Sequence, residues 1–175
     1  MEKDEYDSRS IHFLAMDADR PVGTVRLIRN SDLKFPLEKN CRTNIKGNEV
    51  PRDKLAEISR LAVSLQYQEK AEKKRQNGRG CPDIALGLYR MIYHESKRMG
   101  IRYWYAAMEK GLARLLARFH AFDPIGDQVD YHGRRIPFLG SMEKFERTMI
   151  AANGSGIYDF FVEGLEKEYI PTNLC

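Results

Sequence analysis

The feature that most constrains the fold is one amphipathic helix signal standing between two strand-like stretches. Apolar residues recur at helical spacing between Pro82, which suits a first helical turn, and Gly100, which suits a C-cap. The stretches Leu55–Ser64 and Ile101–Met108 on either side have the alternating or aromatic-rich composition of strands. Because a helical crossover joins neighbouring parallel strands, we expect these two strands to pair in parallel.

Weaker signals place further elements around this unit. Ile11–Met16 and Gly23–Arg29 read as an antiparallel hairpin, Asn30–Asp53 as an irregular segment, and Gln128–Tyr131 as a short strand. Further helices are predicted at Lys110–His120, Met142–Ala152 and Ile157–Tyr169. The sequence therefore predicts an α/β (α+β) fold, a mixed central sheet flanked by helices, as a single domain over residues 1–175.

Composition narrows the class of protein. The longest apolar runs are too short to cross a bilayer, and the N-terminus lacks the basic-then-apolar order of a secretory signal, so we expect a cytoplasmic protein without a membrane span. The cysteines form no C-x-x-C pair and the histidines have no metal-ligand spacing, so neither a disulfide framework nor a metal site is predicted. Those residues are Cys41, Cys81, Cys175, His12, His94, His120 and His132.

A basic, glycine-containing stretch precedes the central helix. Arg75-Gln76-Asn77-Gly78-Arg79-Gly80 fits a loop whose backbone N–H groups and helix dipole would face a phosphate. A solvated surface segment explains it equally well. The formal net charge of +4 is modest, and a nucleic-acid-binding surface would need a larger basic area, so no nucleic-acid partner is predicted.

Polar residues open the strand at Leu55–Ser64. With a two-residue period, Glu57, Ser59 and Leu61 share one face and Arg60 lies on the other. A carboxylate can take the proton that an ammonium must lose before its nitrogen attacks an acyl group. From these residues alone, an exposed strand-end glutamate paired with Arg60 or a nearby lysine is the simpler interpretation.

Several segments, taken together, resemble one superfamily. Glu2-Lys3-Asp4-Glu5-Tyr6-Asp7 is similar to the E-x-D-x-[YF]-D motif of acyl-homoserine-lactone synthases. Thr24-Val25-Arg26-Leu27 and Glu57-Ile58-Ser59-Arg60 resemble their arginine-bearing and E-x-S-R strands. The later half, including Leu86–Met91 and Ile125–Pro137, is more similar to N-acyl amino acid synthases and the related PEP-CTERM/exosortase-associated acyltransferases. The basic loop resembles the R/Q-x-x-G-x-G loop of GNAT acyltransferases.

The resemblance implies a GNAT-like N-acyltransferase. Its co-substrate would be acyl-acyl carrier protein or acyl-CoA, with no tightly bound cofactor, and its acceptor the amine of an amino acid. The residues that the resemblance assigns to catalysis are Glu57, Ser59, Arg60 and Arg26, and those it assigns to substrate binding are Asp4, Asp7, Tyr103 and Tyr105. Lys74, Arg75, Gly78, Arg79 and Gly80 would face the carrier protein or its phosphopantetheine. Asp4, Asp7, Arg26, Ser59 and Arg60 would be joined by buried ion pairs and hydrogen bonds.

Alternatives stay open at this point. The acceptor could be S-adenosylmethionine, as in a homoserine-lactone synthase, or the chain could be a truncated, non-catalytic module that binds acyl carrier protein. In the family a strand and helices precede the E-x-D motif, whereas this sequence opens on it. We therefore expect N-terminal elements to be missing from the acceptor side.

Overall fold

A mixed sheet forms the centre of the protein. The computed structural model describes residues 3–45, 49–69, 84–152 and 156–169. Seven strands of this part join in the order β1-β2-β3-β4-β7-β5, with β6 paired to β7. They are β1 Ser10–Asp17, β2 Arg20–Arg29, β3 Leu55–Val63, β4 Tyr103–Met108, β5 Phe122–Pro124, β6 Val129–Asp130 and β7 Arg134–Ser141. The predicted antiparallel hairpin (β1 with β2) and parallel pair (β3 with β4) are both confirmed.

Helices connect and cover the strands. They are α1 Pro36–Asn40, α2 Ile84–Arg98, α3 Lys110–Leu116, α4 Met142–Ala151 and α5 Ile157–Val162, and residues 65–69 are also helical. Short 3-10 turns lie at Asp7–Arg9, Arg52–Lys54, Ala117–Phe119 and Lys167–Tyr169. α2 ends as the sequence predicts, because Gly100 adopts a φ of +66° and its N–H donates to the Lys97 carbonyl.

Each face of the sheet has its own apolar core. On the helix face, α2 packs on the strands, which contribute alternate residues such as Val25, Leu27 and Ile58, and α4 and α5 complete the core. On the opposite face, which we call the loop face, residues 30–45 and 49–53 pack on the sheet, and Phe35 and Leu37 are completely buried. The described part of the segment predicted to be irregular thus contains α1 and contributes to a core.

The parallel pair at the centre of the sheet separates partway along. Register between β3 and β4 runs from Leu55 opposite Tyr103 to Ile58 opposite Ala106. β3 continues to Val63, while β4 pairs on its other side with β7 as far as Met108. We call the opening beyond Ile58 and Ala106 the notch.

Three sequence predictions were wrong in extent. The strand expected at Gln128–Tyr131 is only Val129–Asp130, and the eight-residue β7 was missed because Gly133, Pro137 and Gly140 interrupt its pattern. The helix expected to reach Tyr169 ends at Val162, since Gly164 follows with a φ of +79°. The helix expected at Lys110–His120 gives way after Leu116 to a 3-10 turn.

Within the described ranges, no helix combines the length and apolarity needed to cross a bilayer.

Candidate functional site

Arg26 is the centre of an ionic network on the loop face. Its guanidinium is almost wholly buried, and Nη1 donates to Asp4 and Asp7 carboxylate oxygens at 2.9 Å. Nε donates to the Ser59 hydroxyl at 2.9 Å, which follows from the register that sets Arg26 opposite Ser59. Arg26 thus joins the N-terminal turn to β2 and β3.

The N-terminal turn is itself held in shape by its two aspartates. The Asp4 N–H donates to Asp7 Oδ2 at 3.0 Å, and the Tyr6 N–H donates to Asp4 Oδ1 at 2.9 Å. The hydrogen bond from the Asp4 backbone, followed by that from Arg26, lowers the pKa of Asp7. His12 adds a further contact, with Nε2 3.4 Å from Asp7 Oδ1.

Arg60 joins this network through an irregularity in β3. Register with β2 shifts between Thr24 and Arg26, and Arg60 has a φ of +52°. Its Nη2 donates to Asp4 Oδ2 at 2.9 Å, so the guanidinium reaches the network of Ser59 and Arg26.

A regular two-residue period was therefore the wrong prediction for the second half of β3. Arg60 was expected opposite Glu57 but reaches the network on the loop face. Leu61 was expected beside Glu57 but packs against the helix-face core. The extra residue at the bulge changes which face the following side chains occupy.

Glu57 lies buried beneath α1. Only 2% of the residue is exposed, and Oε2 accepts the backbone N–H of Leu37 at 3.0 Å. Burial raises the pKa of Glu57 to about 8, although the Leu37 hydrogen bond and the charge of Arg26 act in the opposite direction. The simpler interpretation, an exposed strand-end glutamate, was wrong, and Arg60 pairs with Asp4 instead.

Three ionisable groups lie close enough to respond to the charge of Glu57. Burial raises the pKa of Cys41, Tyr105 and Tyr131, and the Glu57 carboxylate raises each of them further. Tyr105 is directly opposite Glu57 in the β3–β4 register. A carboxyl group with a raised pKa, and with two phenols near enough to respond to its charge, is suited to acid–base chemistry.

Of the remaining predicted residues, one is described by the structure and five are not. Tyr103 packs on the loop-face core opposite Leu55, two residues before Tyr105 on β4. The residues assigned to carrier-protein or phosphopantetheine binding, Lys74, Arg75, Gly78, Arg79 and Gly80, lie outside the described residues.

The sequence reasoning missed the backbone of α1. Leu37 contacts Glu57 through its N–H, a group that no residue-type search detects. The signal was nevertheless present, since Pro36 occupies the first turn and the Glu38 side chain accepts the Phe35 N–H at 2.8 Å. Recognising that helix start would have predicted a helical turn at α1.

A small apolar cavity lies on the helix face and includes Ile58, where the β3–β4 pairing ends. Its volume is about 20 Å³. The lining residues are Ile58, Tyr89, Ile92, Tyr93, Trp104, Leu116, Phe119, Phe122, Phe145 and Phe161. Ile58 is the last β3 residue in register with β4. The sheet thus has an ionic network on its loop face and an apolar cavity on its helix face.

The chain is similar in fold to solved structures of GNAT-like acyltransferases. The N-acyl amino acid synthase FeeM from uncultured soil microbes has a TM-score of 0.59 at 15% identity, over 80% of this chain and 71% of its own. The CoA-dependent acyl-homoserine lactone synthase BjaI, solved with SAM and isopentyl-CoA, also has a TM-score of 0.59, at 18% identity, over 89% of this chain and 71% of its own. The acyl-homoserine lactone synthase LasI has a TM-score of 0.58 at 19% identity, over 79% of this chain and 68% of its own.

The family follows from the sequence itself. Residues 1–140 match the family model described as N-acyl amino acid synthase FeeM. The chain therefore belongs to that family, and by this membership it is an enzyme that transfers acyl groups to an amine. Among curated proteins, none matches the chain. The predicted GNAT-like fold and family are confirmed.

Proposed function

We propose that the protein is an N-acyltransferase that moves an acyl group from acyl-acyl carrier protein, or acyl-CoA, to the amine of an amino acid. The observation that carries the proposal is the notch between β3 and β4, with Glu57 on one face of the sheet and an apolar cavity on the other. A thioester in the notch would direct its acyl chain toward the cavity. Its carbonyl carbon would then meet an amine approaching from the loop face.

Glu57 is the proposed base. The ammonium of the acceptor would lose a proton to the Glu57 carboxylate, directly or through a water, and the free amine would attack the thioester carbonyl carbon. Backbone N–H groups at the strand ends would stabilise the resulting oxyanion. As the tetrahedral intermediate collapses, the new C–N bond remains and the C–S bond breaks.

The departing thiolate needs a proton, and the proposed donor is a tyrosine on the loop face, which regains a proton from the nitrogen as the amide forms. Tyr131 and Tyr105 are the candidates because both lie close enough to Glu57 for its charge to act on the phenol. Tyr131 is the more exposed of the two. The network of Asp4, Asp7, Arg26, Ser59 and Arg60 would form the wall of the acceptor site.

The direct test measures thiol release with acyl donors and a mixture of the twenty amino acids. We expect Glu57→Gln to lower the rate by about 10²- to 10⁴-fold, the usual contribution of a general base. Glu143→Gln on α4, whose side chain is well exposed, is the matched control and should keep full activity. Equal rates for wild type and Glu57→Gln would remove Glu57 from the mechanism.

Product analysis decides the acceptor. FeeM and BjaI have the same TM-score to this chain, so structural similarity does not distinguish an amino acid from S-adenosylmethionine. The family match favours an amino acid, and mass spectrometry should find an N-acyl amino acid. An acyl-homoserine lactone formed from S-adenosylmethionine would support the synthase alternative. Carrier binding without any thiol release would support a non-catalytic module.

A further inference from the structure

Arg9 carries a buried guanidinium that the proposed mechanism does not use. The residue is 8% exposed and ends the N-terminal 3-10 turn, just before β1. Its hydrogen bonds go to uncharged oxygens, and among the described residues it has no ion-pair partner. Its Nε is buried as well, and the part of the chain that the structure describes offers this atom no acceptor. Burying a charge on these terms costs stability, so stability alone does not account for an arginine at this position.

The acceptors of Arg9 all lie in the stretch of chain that leads into α1. Nη1 donates to the Arg29 carbonyl at 3.0 Å, the Ser31 hydroxyl at 2.8 Å and the Leu33 carbonyl at 3.3 Å. Nη2 donates to the Lys34 carbonyl at 2.9 Å. One planar guanidinium thus holds the chain from the end of β2 to within two residues of α1.

Phe35, the N-cap residue of α1, is fixed by contacts of the same kind. It is fully buried, and its ring centroid lies 5.4 Å from the guanidinium carbon of Arg9 and 4.9 Å from that of Arg52. The Phe35 N–H donates to one carboxylate oxygen of Glu38, and the other oxygen accepts Arg52 Nη1. The start of α1 is therefore held on both its side-chain and its backbone atoms.

The next link runs from α1 to Glu57. The Leu37 N–H donates to Glu57 Oε2 at 3.0 Å, and a hydrogen bond of this kind favours the ionised carboxylate. The positive charge of Arg9 acts on Glu57 in the same direction. The other described charged or titratable groups that act on Glu57 or respond to its charge are Arg26, Glu38, Cys41, Tyr105 and Tyr131.

We infer that Arg9 is a positioning residue for the proposed reaction: by fixing the chain that enters α1, it keeps the Leu37 N–H on the Glu57 carboxylate and favours the ionised base. The inference rests on the proposed function for the role of Glu57 as the base. The link from Arg9 to Glu57 rests on contacts alone. In this proposal Arg9 touches neither the thioester nor the acceptor.

The experiment measures the ionisation of Glu57 directly. Protein labelled with ¹³C at the glutamate carboxyl carbons is titrated by NMR, and the Glu57 signal is the one that Glu57→Gln removes. Arg9→Met removes the hydrogen bonds and the charge, so we expect the midpoint of the Glu57 titration to rise by about one pH unit, from about 8. Arg20→Met, the same substitution at an exposed pair with Asp17, is the matched control and should leave the midpoint unchanged.

Arg9→Lys separates the position of the chain from the charge of Arg9. Lysine keeps the charge but cannot reach all of these acceptors with one planar group, so the midpoint should still rise by at least about half as much as in Arg9→Met. A thermal melt shows whether Arg9→Met folds. If it does not, Arg9→Lys and Ser31→Ala, which removes one acceptor, replace it, and both should raise the midpoint.

The pH dependence of the reaction gives a second readout. A midpoint raised by one pH unit lowers the ionised fraction of Glu57 at pH 7 about tenfold, so kcat/KM of Arg9→Met should fall by about that factor. Near pH 10 Glu57 is ionised in both proteins, and their kcat/KM values should agree within about twofold. A substitution that only weakened the fold would not recover activity at high pH.

The outcomes separate the inference from the proposed function. A Glu57 midpoint that stays at the wild-type value in Arg9→Met, or in Arg9→Lys, overturns the positioning role of Arg9 and leaves Glu57 as the proposed base. Absence of an acylated product with every donor overturns the proposed function and the role of Arg9 in it, even if the midpoint rises. An equal rise in Arg20→Met would show that Glu57 responds to charge across the molecule, which also overturns the inference.

Discussion

Glu57 is the residue at which burial and the proposed role as a base conflict most directly. Its pKa is about 8 in the folded protein against an ordinary value of 4.5, so the folded state retains a proton that the unfolded chain loses. Folding therefore becomes less favourable as pH rises from about 4.5 to about 8, by up to about 1.4 kcal/mol per pH unit. Glu57→Gln removes this dependence, so its stability relative to wild type should increase across that window.

Urea denaturation of both proteins at pH 5, 6, 7 and 8 measures this difference directly. Other ionisable groups, including Asp7 with its lowered pKa, are common to the two proteins and cancel. A stability difference that stays constant with pH would mean that Glu57 has an ordinary pKa.

If Glu57 is the general base, as proposed, its pKa sets the pH dependence of the reaction. A general base must be ionised, so kcat/KM should rise with pH and level off above about 8, the pKa of Glu57. A pH–rate profile checks this. In Glu57→Gln the rising limb near pH 8 should disappear from the residual activity. A wild-type profile that is already flat from pH 5 upward would contradict the assignment.

A substitution of Arg26 tests whether the geometry of its guanidinium contributes to stability beyond its positive charge. Lysine keeps the positive charge but cannot reach Asp4, Asp7 and Ser59 with one planar group. Because the group is buried, we expect Arg26→Lys to lower the free energy of unfolding by about 3 kcal/mol, near the cost of breaking a buried ion pair. Arg20→Lys, at an exposed pair with Asp17, should change it by less than about 0.5 kcal/mol, as urea denaturation would show.

At the scale of elements, the bulge in β3 determines which side chains reach the network. Arg60 has the left-handed φ of +52°, which costs a non-glycine residue about 1 kcal/mol. Arg60→Gly and Arg60→Ala both lose the ion pair with Asp4, so their difference isolates the backbone. We expect the glycine variant to be the more stable by about 1 kcal/mol in urea denaturation.

Thr24 on the neighbouring strand serves as a control position, at which the order of stability of the glycine and alanine variants should be reversed. It lies in β2 opposite Ala62 and has no positive φ, so glycine there should be less stable than alanine by about 0.5–1 kcal/mol. The same sign at both positions would show that the bulge carries no backbone strain.

At the scale of the whole molecule, the sequence predicted secondary structure and strand pairing correctly where its hydrophobic periodicity was regular. The crossover through α2 and the parallel pair of β3 and β4 follow from periodicity and from Gly100. Motif resemblance correctly grouped Asp4 with Arg26, although 22 residues separate them. Periodicity could not reveal the bulge at Arg60, because one extra residue in a strand leaves no mark on composition. The burial of Glu57 depends on a backbone N–H from a distant helix, which residue type does not encode.

The sheet divides the molecule into two packing regions, and this division predicts how substitutions combine. Ser59 contacts Arg26 on the loop face, whereas Phe161 packs in the helix-face core. Since they share no partner, Ser59→Ala and Phe161→Leu should lower the free energy of unfolding additively, within about 0.5 kcal/mol. Asp4→Asn and Arg60→Ala remove two ends of one ion pair and should depart from additivity by at least about 0.5 kcal/mol. Urea denaturation of single and double variants measures both cycles. Coupling between Ser59 and Phe161 as large as that between Asp4 and Arg60 would mean that the two packing regions are not independent.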